Sequence, residues 1–328
     1  MITKKIDPWF EENLVCPIDK SKLTINNNNF VCSTHQHKYE IYNNIPIMLV
    51  NEYIKSKNDF TIRSLKILKE KKYIDEYYNS NLKSEAIDDH VQNVVAATNS
   101  NFYKAAIGKL KKYPIPIFPI INSQKNLLLD IGCGWGRWSF SAYNNGFDPV
   151  GIDPSIKSVV AATKVAKQLG VKSRFIVGDA CHMPFKENLF NYCFSYSVLQ
   201  HFSREDVLKT LKEIQFSLKP NGVSQIQMLN KFGLRSIYAL TKKIFNKEKY
   251  FDTNYYSPKQ LKLMFKSNIG ETKIELGSFF TQAQITDFKL FTTINKIILI
   301  ISIILKRLSS FLPFLKNLGD NLFLISKK

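Results

Sequence analysis

The chain has 328 residues, of which 45% are hydrophobic and 13% aromatic, so a packed core is expected and wholesale disorder is excluded. Its formal net charge is +19, but only six of the 46 basic residues are arginine. Proteins that read nucleic acids favour the bidentate guanidinium group of arginine. We therefore interpret the excess of lysine as a solvated surface, with nucleic-acid binding as the alternative.

The cysteine content indicates the redox compartment. The five cysteines are unevenly spaced, and their number is odd: Cys16, Cys32, Cys133, Cys181 and Cys193. The first residues, MITKKIDPWFEENL, are polar and contain no apolar signal segment. We therefore expect a cytoplasmic protein with free thiols or a metal site.

The first third of the chain predicts a small β unit followed by helices. Two β-like stretches, LVCPIDKSKL and NFVCSTHQHKYEIYNNIPIML, are joined by the polar turn INNNN, and residues 51–112 predict helices with charged faces. The prolines of YPIPIFPI, at 113–120, cannot continue a helix. We therefore divide the chain into an N-terminal module at 1–50, a helical connector or cap at 51–124, and a domain at 125–328.

From residue 126 the chain alternates between strand-like and helix-like stretches. The predicted strands are Asn126–Ile131, Pro149–Ile152, Ser173–Val177, Tyr192–Ser195 and Val223–Leu229. After Leu229 come two helical stretches, a strand candidate TKIELGSFF, an apolar helical segment at 284–318 and a last strand candidate DNLFLIS. We expect an α/β fold: a mainly parallel sheet with helices on both faces, plus the N-terminal β ribbon and a helical C-terminal insertion.

The segment LLLDIGCGWGRW, residues 127–138, is typical of a nucleotide-binding turn. An apolar run stops at Asp130, glycines follow at alternate positions, and a helical pattern begins directly afterwards. The spacing G-x-G-x-G differs from the dinucleotide pattern G-x-G-x-x-G. S-adenosylmethionine (SAM) has no phosphate, so a strand-end carboxylate and a closely approaching backbone suit it better than a phosphate-binding loop.

Two further acidic residues follow the next predicted strands. Asp153, in VGIDPS, is placed to bind both ribose hydroxyls, and Asp179, in IVGDACHMPF, could accept a hydrogen bond from the adenine amino group. Carboxyl ends of parallel strands line the edge of an open α/β sheet that binds ligands. The three acids and the glycine loop together predict a SAM site.

Two more segments follow these motifs, VGDACHMPFKENLFNYCFSYSVLQHF and LKPNG. Together they resemble the successive motifs of class I SAM-dependent methyltransferases over residues 125–230. Within that family, the chain resembles the small-molecule type 11 group. The resemblance implies a Rossmann-like fold and an enzyme that transfers a methyl group from SAM. It also implies a set of SAM-binding residues: Asp130, Gly132, Cys133 and Gly134 at the methionine part, Asp153 at the ribose, Asp179 and Ala180 at the adenine, and Ser195 beside the sulfonium.

Methyl transfer requires in-line positioning of the acceptor, and a base is needed only if the acceptor loses a proton. His201, in SVLQHF, is the leading candidate for that base, and a capping or packing histidine is the alternative. Gln200 and Tyr196 could position the acceptor.

The N-terminal module resembles the zinc-ribbon-like activator subunit of RNA and release-factor methyltransferases. The usual pattern has two C-x-x-C pairs, but here Asp19 replaces the second cysteine of the first pair. The resemblance predicts a zinc site formed by Cys16, Asp19, Cys32 and either His37 or His35. A metal-free ribbon held by a small apolar core is the alternative.

The stretch KIILIISIILKRL is too short to span a bilayer. It is either a buried helix that roofs the acceptor pocket or an interfacial helix that gives the protein a peripheral membrane contact through residues 294–312. Both favour a small-molecule or lipid-linked acceptor with an apolar part. An RNA acceptor and a non-catalytic SAM-binding scaffold are the alternative functions.

Overall fold

The N-terminal module folds as an antiparallel sheet in this computed structural model, which describes residues 6–50, 59–69, 72–80, 86–120, 126–238 and 254–328. A short helix α1 (Pro8–Asn13) precedes four strands, β1 (Leu23–Asn26), β2 (Asn29–Cys32), β3 (Lys38–Tyr42) and β4 (Ile45–Pro46), paired in that order. The second predicted β stretch thus contains three strands. The sequence interpretation missed that Asn43–Asn44, like Asn27–Asn28, has positive φ at both residues, as two-residue hairpin turns require.

The module packs against the rest of the chain. The apolar residues expected to form its core are all buried: Leu14, Val31, Tyr39, Ile45 and Ile47. The amide of Val15 donates to the carbonyl of Pro184 (2.9 Å), and Lys20 pairs with Glu213 (2.6 Å). Ile47 forms a parallel bridge with Val177.

The connector is helical, as predicted, within the described residues. It contains α2 (Asp59–Lys69), α3 (Lys72–Asn79), α4 (Asp89–Asn99) and a 3₁₀ turn (Asn101–Ala106). The carboxylate of Asp88 caps α4 by accepting hydrogen bonds from the amides of His90 and Val91.

The large domain contains a seven-stranded sheet, which confirms the predicted α/β class. Its first part consists of β5 (Leu127–Ile131), α5 (Arg137–Asn144), β6 (Asp148–Asp153), α6 (Ile156–Leu169), β7 (Arg174–Val177), β8 (Phe190–Ser195), α7 (Arg204–Ser217) and β9 (Leu218–Leu229). The five strands are parallel, in the spatial order β9-β8-β5-β6-β7. Their buried cores are continuous apolar runs, because helices cover both faces.

The remaining elements complete the other edge of the sheet. They are α8 (Pro258–Asn268), β10 (Glu271–Ser278), α9 (Thr293–Phe311) and β11 (Asn321–Lys327). β11 lies between β9 and β10 and is antiparallel to both. One of the two helical stretches predicted after Leu229 extends into residues 239–253, outside the described residues. No helix in the described ranges has the length and hydropathy needed to cross a bilayer.

The chain reverses its direction of travel across the sheet between β5 and β8. It runs from β5 outward to β6 and β7, and then returns to β8 on the other side of β5. Open α/β sheets bind ligands at the carboxyl ends of strands at such a switch point. This places the expected crevice beside Ile131 and Ser195, which are paired at the ends of the two strands.

The C-terminal insertion lies between β10 and β11, as predicted, but is not a buried helix. A 3₁₀ turn (Ile285–Leu290) precedes α9, and a second one (Pro313–Leu318) follows it. Three residues of α9 are buried: Leu299, Ser302 and Ser309. The expectation of a fully buried roof is therefore wrong, because the outer face of α9 is exposed.

Candidate functional site

The glycine loop joins β5 to α5 at the switch point. Gly132, Gly134 and Gly136 all have left-handed backbones, with φ of +71°, +55° and +87°. The amide of Gly132 donates to the carbonyl of Ile152 (2.8 Å), which ties the loop to the end of β6. A Cβ built on Gly134 would meet nothing nearer than a methyl carbon of Thr98 at 4.0 Å, so the loop leaves room for a ligand to approach its backbone.

Replacing Gly132 by alanine is expected to destabilise the protein more than replacing Gly134. The new Cβ at Gly132 would lie 2.3 Å from Cγ2 of Val198, whereas the backbone cost of a positive φ applies to both positions. We expect this steric overlap to lower the free energy of unfolding of Gly132→Ala by about 1–3 kcal/mol more than that of Gly134→Ala. Thermal or urea unfolding of the two variants measures the difference, and equal losses would contradict the steric argument.

Asp153 links the end of β6 to the glycine loop. Its Oδ2 accepts a hydrogen bond from the amide of Gly134 (2.9 Å), and its Oδ1 accepts one from the amide of Ser155 (2.8 Å). Burial raises the pKa of this carboxyl group to about 6. The side chain is therefore held in one orientation beside the loop, as a ribose-binding carboxylate requires.

Asp130 is turned towards helix α5. Its side chain is buried, and its Oδ2 accepts a hydrogen bond from Oγ of Ser139 (2.7 Å). Burial raises the pKa of Asp130 to about 7. Asp130 thus joins the end of β5 to helix α5 across the glycine loop.

The other predicted SAM-binding residues end neighbouring strands. Asp179 follows β7, and its Oδ1 accepts a hydrogen bond from the amide of Cys181 (2.8 Å), which fixes the turn that contains the buried Ala180. Ser195 is fully buried, and its hydroxyl donates to the carbonyl of Ile131 (2.9 Å). The sulfur of buried Cys133 lies 3.7 Å from the Gly134 carbonyl oxygen. Their roles towards SAM remain predictions.

The connector covers this edge of the sheet. Thr98 of α4 accepts a hydrogen bond from the indole nitrogen of Trp135 (3.1 Å), inside the glycine loop. Ser64 of α2 donates to the carbonyl of Pro154 (2.6 Å), next to Asp153. Sequence analysis identified the cap but not these residues, because nothing in their local sequence shows which distant loop they contact.

The 3₁₀ turn of the connector meets the C-terminal insertion. The hydroxyl of Tyr103 donates to Asp287 (2.7 Å), and both side chains are buried. The Tyr103 ring also packs edge-on against Phe291, at 5.0 Å between centroids. These two segments, which we call the roof, are thus joined by a buried hydrogen bond and by aromatic packing.

Arg137 is a functional candidate that sequence analysis did not select. It begins α5 directly after Gly136, and its side chain is 9% exposed. Its guanidinium carbon lies 5.5 Å from the ring centroid of Trp138 and 5.2 Å from that of Tyr196, and it forms no ion pair within the described ranges. Burial lowers its pKa, while the charges of Asp130 and Asp287 oppose the change. A buried cation beside the glycine loop suits an anionic ligand group.

The predicted base and its neighbours follow β8. His201 ends a 3₁₀ turn (Leu199–His201) and is exposed, with its Nε2 at 3.2 Å from Nε2 of Gln200. Gln200 is buried and also donates to Oγ of Ser197 (2.9 Å). Tyr196 packs on Trp138, with 4.6 Å between centroids. The role of His201 as a base therefore remains a prediction.

The N-terminal module brings four potential metal ligands together. Ligand atoms of Cys16, Asp19, Cys32 and His37 all lie within 4.8 Å of one another. Hydrogen bonding to Ser21 and to the backbone lowers the pKa of the Cys32 thiol to about 7, although burial opposes the change. His35, the other predicted candidate, instead bonds to Oδ2 of Asp19 through its Nδ1 (2.6 Å).

The part of the chain that contains the glycine loop is similar to known proteins. Residues 128–222 match the family described as a methyltransferase domain, and this stretch contains the glycine loop and the three strand-end acids. An uncharacterized protein of Methanocaldococcus jannaschii is 32% identical over 130 residues, which cover 40% of this chain and 50% of that protein.

Two further relatives carry names that state an activity. The ubiquinone biosynthesis O-methyltransferase of Pelagibacter ubique is 32% identical over 144 residues, which cover 43% of this chain and 59% of that enzyme. The tRNA (carboxymethyluridine(34)-5-O)-methyltransferase of Schizosaccharomyces pombe is 33% identical over 92 residues, 28% of this chain and 36% of that enzyme. The chain thus spans no more than 59% of the length of these three relatives.

Proposed function

We propose that the protein is a SAM-dependent methyltransferase whose acceptor is a small or lipid-linked molecule with an apolar part. The observation that carries the proposal is the hydrogen bond of 2.9 Å between the Gly134 amide and Asp153. It joins the left-handed glycine loop to a strand-end acid at the switch point of the sheet, where a ribose-containing ligand would bind.

The residues present fit SAM. The backbone of Gly132 and Gly134 would lie along the methionine part, Asp153 would accept hydrogen bonds from the ribose, and Asp179 with Ala180 would contact the adenine. When bound, SAM supplies a methyl group that its positive sulfur has already activated. The chain's own contribution is to orient the acceptor in line with that methyl group and to exclude water beneath the connector.

The acceptor would enter from the side of the roof. Tyr103 and Phe291 give that side an apolar character, and the Asp287 carboxylate accepts a hydrogen bond there from Tyr103. Arg137 supplies a buried positive charge between the roof and the loop. Together these groups suit an acceptor that carries both an apolar part and an anionic group, such as a lipid-linked saccharide or an isoprenoid precursor.

Incubation of the protein with methyl-labelled SAM and separate lipid, small-metabolite and RNA extracts tests the class of acceptor. We expect label in the lipid or small-metabolite fraction. RNA is the second candidate, because the net charge is +19 and one relative methylates tRNA. Label in the RNA fraction alone, with activity that falls steeply as salt rises, would overturn the proposal.

The same assay tests the role of Arg137. We expect Arg137→Met to raise the KM for the acceptor about tenfold to a hundredfold, as loss of charged hydrogen bonds implies. The control is Arg204→Met, which removes an exposed arginine. An equal increase in the Kd for SAM would instead assign Arg137 to the SAM carboxylate.

The N-terminal module is proposed to hold one zinc ion through Cys16, Asp19, Cys32 and His37. Tetrahedral coordination at about 2.0–2.3 Å places ligand atoms roughly 3.3–3.8 Å apart, which their present grouping within 4.8 Å allows with small movements. His35 would not bind the zinc ion itself. Its hydrogen bond to Asp19 would orient the carboxylate that does.

A further inference from the structure

We propose that the outer face of α9 docks on a bilayer that contains anionic lipids. Seven large apolar side chains of this helix are exposed by between 43% and 81%: Ile294, Ile297, Ile300, Ile301, Ile304, Leu308 and Phe311. At 100° per residue they fall within an arc of about 120°, so they form one continuous stripe along the helix. We call this set the outer stripe.

The opposite side of α9 fastens the helix to the domain. Leu299 is buried, and the hydroxyl of Ser302 donates to the carbonyl of Phe279 (2.9 Å). Between this side and the outer stripe, the ammonium group of Lys296 lies 5.4 Å from the ring centroid of Phe288. The helix is therefore fixed with the outer stripe facing away from the protein, and within the described residues no other segment covers it.

The charges around the outer stripe favour a lipid surface with negative headgroups. No acidic residue occurs between Asp287 and Asp320, whereas Lys296 and Arg307 follow one edge of the stripe by helix geometry. An apolar face bordered by basic residues is typical of helices that lie in the membrane interface. If two copies of this chain packed their outer stripes together around a two-fold axis, the basic edge of one copy would lie near the basic edge of the other. Repulsion between these charges disfavours such a dimer.

A second exposed apolar group lies in the segment that follows β9. Phe232, Leu234 and Ile237 are exposed by 48%, 38% and 45%. Their segment is tied to the end of the insertion, because the amide of Arg235 donates to Asp320 (2.6 Å). The proposed docking rests on the outer stripe of α9, and it does not depend on the proposed methyl transfer.

Vesicle co-sedimentation of the full chain tests the proposal. The vesicles are made either of phosphatidylcholine alone or of equal parts phosphatidylcholine and phosphatidylglycerol. The test variant is Ile297→Gln/Ile301→Gln/Ile304→Gln. The matched control is Ile117→Gln/Leu169→Gln/Leu263→Gln, which replaces apolar side chains exposed by 65%, 40% and 60% elsewhere on the surface. Because all six positions are exposed, both variants should fold, which circular dichroism checks.

We expect the wild type and the control to bind the phosphatidylglycerol vesicles, and the test variant to bind them at least about tenfold more weakly, because three apolar contacts with lipid are lost. Equal binding by the test variant would overturn the proposal, since charge alone would then explain the attraction. Absence of wild-type binding would also overturn it. In that case, a dimer that the test variant converts to a monomer would identify a second copy as the occupant.

Discussion

Asp153→Ala is expected to weaken the binding of both SAM and S-adenosylhomocysteine at least about a hundredfold. Two ribose hydrogen bonds to a charged acceptor would be lost, at about 1.5–3 kcal/mol each. The substitution also removes the contact that holds the Gly134 amide. Isothermal titration calorimetry measures the effect, and wild-type affinity in the micromolar range is expected.

Asp148→Ala is the matched control for this substitution. Asp148 lies at the opposite end of the same strand, where it pairs with Arg174 (2.9 Å). The control should therefore bind SAM like the wild type. Unchanged SAM affinity in Asp153→Ala, or binding of NAD without binding of SAM, would refute the proposed site.

The pH dependence of SAM binding follows from the same residue. In the proposed site, ribose hydroxyls would donate to the ionised Asp153 carboxylate, and burial raises the pKa of this group to about 6. SAM affinity should therefore fall as the pH drops below about 6, by at most about tenfold per pH unit. The stability of the SAM-free protein changes in the opposite direction. Because the folded pKa lies above the usual 3.8, ionisation of Asp153 costs stability as the pH rises between these two values.

Cys16→Ser is expected to remove zinc from the N-terminal module and to unfold the module at lower temperature. Zinc binding to such sites supplies about 10 kcal/mol or more of apparent free energy at neutral pH, so loss of one thiolate ligand has a large effect. Metal analysis of the purified chain should give about one zinc ion for the wild type and close to none for the variant.

Cys181→Ser is the control for the metal measurement. The Cys181 sulfur contacts the carbonyl of Asp206 (3.6 Å) and the hydroxyl of Thr210 (3.5 Å), away from the proposed ligands. It should keep the zinc content of the wild type. A folded wild type without zinc would instead support the metal-free ribbon, in which Asp19 bonds to Ser21 and His35.

The parallel part of the sheet could be predicted because its strands are apolar runs that end in turn residues. The same is true of the glycine loop, whose spacing is visible within 12 residues of sequence. The position of β11 between β9 and β10 could not be predicted, because a strand's own residues do not determine its neighbours. The Asn43–Asn44 turn was a readable signal that the sequence interpretation did not use.

Other parts of the site depend on contacts between distant segments. Thr98 and Tyr103 reach the loop and the roof from the connector, and their local sequence has no pattern that indicates this. Arg137 could have been selected from the sequence, since it directly follows the last glycine of the loop. The exposure of α9 could not have been predicted, because a buried helix and an interfacial helix can share the same isoleucine-rich composition.

The contact between the N-terminal module and β7 affects the tendency of the protein to aggregate. β7 is four residues long and is the last strand on its side of the sheet. Ile47 bridges Val177 in parallel, and the amide of Met48 donates to the Val177 carbonyl (2.7 Å). Unpaired strand edges recruit strands from other molecules, which leads to aggregation. Residues 47–48 occupy this edge and so hinder the β7 edges of two molecules from pairing. A shortened protein that began at the connector would expose the edge of β7 and should aggregate more readily.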